Sequence, residues 1–202
     1  MEIKFQDVTL RDMRESDIED YVRWFTKETE WGDWDAPWEV LEDDEASARK
    51  KWTARYERVK ALADDEIRSG FEVEYDGKHI GSVSSYWIDE TYTWISGKDI
   101  QDGQKVYQTV GISICESGEW GKGIGTKALQ AFIQYFQDRG YDEICTQTWS
   151  GNARMLRCAE KLGFSVCKRI VGIREVRGGK YDALTLKKVC RQPEKTTNAE
   201  QI

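Results

Sequence analysis

The sequence predicts one mixed α/β domain, because stretches of alternating polarity and stretches of helical periodicity follow one another along the chain. Residues 71–75 alternate between apolar and polar before an Asp76-Gly77 turn, a pattern typical of a β-hairpin. Residues 106–115 alternate in the same way and predict a central strand. The next segment has apolar residues at helical spacing up to Arg139, so we expect a helix to follow that strand.

Turn residues and apolar spacing divide the rest of the chain into short elements. Before the central strand, these are a strand at 8–11, a helix beginning at Ser16-Asp17, a loop at 28–37, a helix at 40–67, the hairpin of 71–75 and 80–88, and a short strand at 92–95. After it, they are the helix up to 139, a strand at 141–149, a helix at 152–162, and two final strands at 165–176 and 180–189.

Composition limits the class of protein. With 202 residues, 39% hydrophobic and 33% charged, the chain is long enough for one core, and we expect a domain at 1–189 with a polar tail at 190–202. A net charge of −7 argues against nucleic acid as a partner. No apolar run is long enough to cross a bilayer and residues 1–7 lack a signal peptide, so we expect a cytoplasmic location. Five cysteines without a CxxC pair, and a single histidine, argue against a metal site.

A glycine-rich turn, 121–126 (GKGIGT), joins the central strand to the next helix. Glycine lets the backbone approach a ligand closely, and a helix N-terminus offers free N–H groups with a partial positive charge. Together they predict a cradle for phosphate oxygens. Lys122 and Lys127 oppose the helix dipole unless an anion is bound, which points the same way.

A dinucleotide-binding turn is the competing interpretation, because Gly123, Gly125 and Ala128 formally satisfy GxGxxA. In that fold the glycines follow the first strand directly, and an acidic residue ends the second strand. Here residues 116–120 intervene and Asp142-Glu143 begin a strand, so we reject it. The run does not match the P-loop pattern either.

Two motifs resemble the GNAT superfamily of N-acetyltransferases. The run 119–126 (EWGKGIGT) resembles its pyrophosphate loop, Q/R-x-x-G-x-G/A, with Trp120 at the Q/R position as in the ribosomal-protein-alanine acetyltransferase branch. The run 152–164 (NARMLRCAEKLGF) resembles the family helix beside the pantetheine arm. The resemblance implies a mixed, mostly antiparallel sheet, splayed near its centre and flanked by helices, with acetyl-CoA in the gap.

The resemblance also assigns cofactor-binding roles. It implies that backbone groups of the central strand meet pantetheine, that N–H groups of 120–126 hold the pyrophosphate, and that Asn152 bonds the pantetheine arm or a water beside it. Arg157 and Lys161, on the predicted helix at 152–162, either bind the 3′-phosphate or belong to a solvated face of that helix. The full set is Ile112, Ile114, Trp120, Gly121, Lys122, Gly123, Ile124, Gly125, Thr126, Asn152, Arg157 and Lys161.

Acetyl transfer to an amine needs a group that accepts the ammonium proton, directly or through water. Glu116, at the end of the central strand, and Glu175, late on the next-to-last strand, are candidate bases, although each also fits an ordinary surface carboxylate. Ala159 stands where many relatives carry a tyrosine that acts as the general acid, and Met155 stands where some carry a serine. The residue that protonates the leaving thiolate is therefore unassigned, and a water molecule is sufficient for this role.

The segment 28–45 combines aromatic and acidic residues, which suits a cationic acceptor. Its candidate acceptor-binding residues are Trp31, Asp33, Trp34 and Asp35. A polyamine, an aminoglycoside-like amine and a basic peptide N-terminus all fit, but the tryptophans also fit a role in covering the core.

We therefore expect an acetyl-CoA-dependent N-acetyltransferase whose acceptor amine attacks the thioester directly. An acyl-CoA-binding module without transferase activity is the alternative, motivated by Ala159. A homodimer stays open at this stage.

Overall fold

The computed structural model describes residues 1–39 and 44–189. The predicted tail at 190–202 lies outside the described residues, and so do residues 40–43 of the predicted second helix. The strands are β1 (Glu2–Phe5), β2 (Val8–Arg11), β3 (Gly70–Tyr75), β4 (Lys78–Asp89), β5 (Trp94–Ile95), β6 (Val106–Ile114), β7 (Glu143–Trp149), β8 (Ser165–Val176) and β9 (Gly179–Val189). The helices are α1 (Asp17–Thr26), α2 (Glu45–Lys60), α3 (Ile124–Gln137) and α4 (Ala153–Lys161).

All of these strands belong to one sheet, in the order β1-β2-β3-β4-β6-β7-β9-β8, with β5 paired to β4. Every neighbouring pair in the described sheet is antiparallel except β6 and β7. The predicted mixed, mostly antiparallel sheet is therefore confirmed. A doubly wound dinucleotide fold needs a mostly parallel sheet, so this arrangement agrees with its rejection.

The two parallel strands separate soon after they meet. They pair only at Gln108–Ile144 and Thr109–Cys145, while β6 continues to Ile114 and β7 to Trp149. The sheet is therefore splayed between β6 and β7, as expected, and a gap opens towards the ends of these strands.

Helices cover both faces of the sheet. α3 packs its apolar face on a core that also includes α4, through Ala128, Leu129, Phe132, Ile133 and Phe136, the residues that helical spacing predicts. α1 and α2 form a second core with Cys115 at the end of β6, in which Tyr21 stacks on Trp52 with ring centroids 3.6 Å apart. The two layers hold the splayed strands between them.

A buried polar network joins α1 to the sheet. His79 on β4 contacts Asp20 through Nδ1 and Glu72 through Nε2, each at 3.0 Å, and Tyr21 donates to Glu72 at 2.5 Å. Burial alone would lower the pKa of His79, but the hydrogen bonds to Asp20 and Glu72 and the nearby carboxylate charges raise it to about 9. The imidazolium is therefore part of the folded core at neutral pH.

Two boundaries differ from the sequence prediction. β1 was not predicted, yet Ile3 and Phe5 alternate with polar residues and pack against the core. The described part of the second helix is shorter than predicted, since α2 begins at Glu45 and ends at Lys60. Beyond it, the buried Arg68 side chain donates to the carbonyl oxygens of Ala63 and Glu66, which stabilises a turn where helix was expected.

Candidate active site

A cleft of about 480 Å³ fills the gap between the splayed strands. One wall is the end of β6 at 111–114 and the other is β7 at 146–148. The glycine loop, the cleft-facing side of α4 and residues 31, 34 and 35 close the remaining sides. The cleft is thus the place where the end of β6, the glycine loop (residues 121–126) and the segment 31–35 meet.

The glycine loop has the conformation that the phosphate cradle requires. Gly121 and Gly123 have φ angles of 79° and 81°, in the left-handed region that favours glycine, and Gly123 is the N-cap of α3. The N–H groups of the first turn of α3 have no partner within the helix and lie at its positive end. The loop therefore presents donors to an anion in the cleft.

The end of β6 turns unpaired backbone groups towards the gap. The N–H of Cys115 donates to the carbonyl of Ile80 on β4 at 2.9 Å. Because backbone groups alternate in direction along a strand, those of Ile114 and Ile112 point the other way, towards β7, where the ladder has ended. The Ile114 carbonyl accepts from Trp120 Nε1 at 2.7 Å, which leaves its N–H and both groups of Ile112 facing the gap.

Trp120, which departs from the Q/R of the family pattern, fixes the loop through that indole bond. Its ring also lies 4.0 Å from the guanidinium carbon of Arg154 on α4. An aromatic side chain therefore connects the loop both to β6 and to α4.

The cleft also holds a polar atom without a partner. The hydroxyl of Thr146 on β7 is buried at the cleft wall and makes no hydrogen bond to any described residue, 1–39 or 44–189. A buried, unpaired hydroxyl is costly to the fold, and Thr146 has no exposed surface through which a ligand in the cleft reaches it directly. An elongated ligand with a phosphate at one end and amide groups along its length, as acetyl-CoA has, fits this cleft.

The acetyltransferase (GNAT) domain model matches residues 7–165. The chain belongs to the GNAT acetyltransferase family. Its co-substrate is therefore acetyl-CoA, and the predicted N-acetyltransferase activity is confirmed at the level of the family.

Curated relatives and solved structures agree with this assignment. The chain is 26% identical over 162 residues to aminoglycoside N(6′)-acetyltransferase type 1 of Klebsiella pneumoniae and of Serratia marcescens, covering 78% of this chain and 73% of each relative. Its fold is similar to the ribosomal L7/L12 alpha-N-protein acetyltransferase RimL in complex with coenzyme A (TM-score 0.68, 15% identity, 94% and 98% of the two chains). It is also similar to ribosomal-protein-S5-alanine acetyltransferase from Vibrio fischeri (TM-score 0.68, 19% identity, 94% and 97%).

Most of the residues that the GNAT motifs assign to the cofactor line the cleft, and their individual roles stay predictions. Lys122 is the exception, because it is not among the cleft residues and pairs with Glu119 at 2.9 Å on the surface. Lys127 pairs with Asp7 at 2.8 Å. The predicted residues that do line the cleft are Ile112, Ile114, Trp120, Gly121, Gly123, Ile124, Gly125, Thr126, Asn152, Arg157 and Lys161.

Asn152 already has partners at both ends of its side chain. Its Oδ1 accepts from the N–H of Met155 and so caps α4, and its Nδ2 donates to the carbonyl of Trp34 at 2.7 Å. Trp149 Nε1 donates to the same carbonyl at 3.0 Å. Asn152 thus links the backbone of Trp34 to the N-terminus of α4. Its direct bond to the pantetheine arm stays a prediction.

The predicted acceptor residues separate into two groups. Trp31, Trp34 and Asp35 line the cleft, whereas Asp33 is exposed and pairs with Arg177 at 2.6 Å. Asp35 is also exposed, but its carboxylate lies in the cleft, where partial desolvation and then the charge of Glu39 raise its pKa. It accepts no hydrogen bond and forms no ion pair within 1–39 and 44–189.

Neither predicted base faces the cleft. Glu116 accepts from Arg23 at 2.5 Å and from Trp24 Nε1 at 2.9 Å, so its carboxylate joins β6 to α1. Glu175 is exposed on the outer strand β8, opposite Lys180. Neither carboxylate is among the described residues that line the cleft, and their roles as bases stay predictions.

Sequence reasoning missed several cleft residues, among them Thr146, Arg154 and Cys158. Arg154, Arg157 and Lys161 recur at a spacing of three and four, so helical periodicity alone predicts that these three cations share one face of α4. Burial raises the pKa of the Cys158 thiol, which keeps it neutral. Tyrosine is absent from the described wall of the cleft, consistent with Ala159 at the family's acid position.

Proposed function

We propose that this GNAT enzyme acetylates a primary amine of a small polycationic acceptor, with Asp35 as the group that binds the ammonium and accepts its proton. The acceptor class is supported by the aminoglycoside acetyltransferases to which the chain is 26% identical. It is also supported by the Asp35 carboxylate, which lines the cleft. The relatives alone do not carry this proposal.

The observation that carries it is the unpaired carboxylate of Asp35. Asp33 and Glu116 are each bound by an arginine, whereas no cation binds Asp35 within residues 1–39 and 44–189. Asp35 lies at the wall of the cleft and feels the negative charge of Glu39, and two negative charges favour a bound cation. The raised pKa also makes Asp35 a better proton acceptor than an aspartate with the ordinary pKa.

The chemistry divides among residues of this chain. Acetyl-CoA, when bound, supplies an acetyl group activated as a thioester. The first turn of α3 holds phosphate oxygens, and the N–H groups of Ile112 and Ile114 face the gap as donors for a carbonyl oxygen. Asp35 removes the ammonium proton so that the amine becomes a nucleophile. No tyrosine lines the described cleft, so we assign the second proton transfer to water, which accepts the proton that the nitrogen loses after attack and delivers a proton to the departing thiolate.

Replacing Asp35 tests the assignment. In Asp35→Asn, kcat/KM for an aminoglycoside should fall roughly 10²- to 10⁴-fold, the usual contribution of a positioned base, while the Kd for CoA stays unchanged. Glu30→Gln is the matched control, because Glu30 lies in the same segment but outside the cleft. Equal rates for Asp35→Asn and Glu30→Gln would remove Asp35 from the reaction. A panel containing an aminoglycoside, spermine and a basic peptide with a free N-terminus separates the acceptor classes.

We also propose a cytoplasmic location and a homodimer. Within the described helices, none has the length and apolar character needed to span a bilayer. Cys115, Cys145, Cys158 and Cys167 are free thiols, which fits a reducing compartment.

The proposed homodimer is supported by the outer edge strand β8. An edge strand with exposed apolar side chains favours pairing with a second chain. The exposed apolar side chains of β8 are Val166, Ile170, Val171 and Ile173. Light scattering on the purified protein measures its oligomeric state.

A further inference from the structure

Arg154 lies between two tryptophans that belong to different parts of the site. Its guanidinium carbon is 4.3 Å from the ring centroid of Trp34 and 4.0 Å from that of Trp120. Trp34 belongs to the acceptor segment, defined here as residues 29–39, and Trp120 begins the cofactor loop, residues 120–126. One side chain therefore contacts both substrate-binding segments.

The hydrogen-bond donors of Arg154 have no acceptor in the part of the chain that the structure describes. Within residues 1–39 and 44–189, no carboxylate or carbonyl oxygen accepts a hydrogen bond from its guanidinium. The five N–H donors of a guanidinium lie in its plane, so contact with aromatic rings above or below that plane leaves the donors open. Since Arg154 lines the cleft, the open edge is available to an anionic ligand there.

We propose that Arg154 binds a pyrophosphate oxygen of acetyl-CoA and, through Trp34, couples cofactor binding to the ordering of the acceptor segment. The pyrophosphate is the anion in question because Trp120 directly precedes the glycines whose conformation forms the phosphate cradle. Arginine suits the role, since its edge binds phosphate while its faces stack on aromatic rings.

The other contacts of Trp34 explain why binding of CoA at Arg154 would reach the acceptor segment. The Trp34 carbonyl is held by Asn152 and Trp149, both from the α4 side of the cleft. The Trp34 ring is held by Arg154 alone among the cations of the described chain. An anion that fixes the guanidinium therefore fixes the ring, and with it the position of the neighbouring Asp35. Arg154 is a positioning residue for the acceptor and a binding residue for the cofactor.

Hydrogen exchange measured by mass spectrometry tests this without any acceptor, so its result does not depend on the proposed acceptor class. The full chain is compared with and without saturating CoA, and peptides covering 29–39 and 120–126 are followed. In the wild type we expect CoA to slow exchange in both peptides, by about fivefold or more in 29–39, the lower end of common coupling strengths. In Arg154→Met we expect protection of 120–126 to remain at saturating CoA and protection of 29–39 to be lost.

Matched variants separate the coupling from a loss of charge or of fold. Arg157→Met removes a cleft cation that does not stack on Trp34, so 29–39 should remain protected by CoA. Arg154→Lys keeps the charge without the planar faces, and Trp34→Leu keeps the guanidinium without the ring. Both should lose protection of 29–39 while 120–126 stays protected, and they carry the test if Arg154→Met fails to fold.

Affinity gives an independent readout. The Kd for CoA should rise roughly tenfold or more in Arg154→Met, because a charge-assisted hydrogen bond is removed, and much less in Trp34→Leu. Equal protection of 29–39 in Arg154→Met and the wild type would overturn the proposal. Absence of CoA-dependent protection of 29–39 in the wild type would also overturn it. Absence at both peptides would overturn the placement of the pyrophosphate as well.

Discussion

A carboxylate introduced at Gly125 should abolish cofactor binding without harming the fold. Gly125 is the second residue of α3, with ordinary helical backbone, and an added Cβ would lie 3.6 Å from Ile114 Cγ1 and 3.7 Å from Ile112 Cδ1. These are normal van der Waals distances, so a side chain is accommodated. An acidic residue in the first turn also favours the helix dipole, by about 0.3–1 kcal/mol.

The expected loss of affinity follows from charge. A carboxylate about 4 Å from one phosphate charge, at an effective dielectric constant of about 20, is repelled by about 4 kcal/mol. At about 1.4 kcal/mol for each tenfold change, the Kd for CoA should rise roughly 10³-fold in Gly125→Asp. Isothermal titration calorimetry measures the Kd, and thermal unfolding without ligand should give a Tm equal to or slightly above that of the wild type.

Gly125→Asn is the control, because it adds nearly the same volume without the charge. Gly123 is a poorer choice, since its φ of 81° makes any side chain there cost about 1–2 kcal/mol by itself. If Gly125→Asp bound CoA within about threefold of Gly125→Asn, the pyrophosphate would not lie at the start of α3 and the reasoning would fail.

Three further predictions concern protonation and the unpaired hydroxyl. The raised pKa of His79 means that its contribution to stability is complete below pH 6.5 and is lost as pH rises through about 9. The Tm of the wild type should therefore fall over this range, and that of His79→Gln should change less. Because the pKa of Asp35 is raised, kcat/KM should fall as pH decreases through it, and Asp35→Asn should abolish this acidic limb at its reduced rate. A wild-type profile that is flat on the acidic side would argue against Asp35 as base. Thr146→Val should leave the free energy of unfolding equal or raise it by about 1 kcal/mol in chemical denaturation, because the buried hydroxyl has no hydrogen-bond partner among the described residues. A clear loss of stability would show that the hydroxyl has a partner in the fold.

Local patterns predicted the cofactor side of the site well. The conformation of the glycine loop, the cap of α4 and the alternation of β6 each depend on residues close together in sequence. The sequence therefore predicted the strand–loop–helix unit from residue 106 to 139, which ends at Gln137 in the structure, whereas the splay beside it was implied by the resemblance to the GNAT superfamily. The cations of α4 were also readable from their spacing, although Arg154 was not selected.

Long-range contacts decided the rest. Glu116 was a reasonable base by position, but Arg23, distant in sequence, binds its carboxylate. The rings of the acceptor segment seemed available to a cationic substrate, yet Arg154 stacks on Trp34 and Arg174 lies 4.1 Å from the Trp38 ring. No local pattern reports which side chains a fold brings together, so the proposal of Asp35 as the base became possible only with the structure.

Acetyl transfer to competing amines is the most direct test of the central claim. The full-length enzyme is incubated with acetyl-CoA and an equimolar mixture of an aminoglycoside, spermine and a basic peptide, and the products are separated and weighed by mass spectrometry. We predict that an acetylated small polycation accumulates first and that its formation depends on Asp35. Acetylation of the peptide alone, or CoA binding without transfer to any amine, would contradict the account.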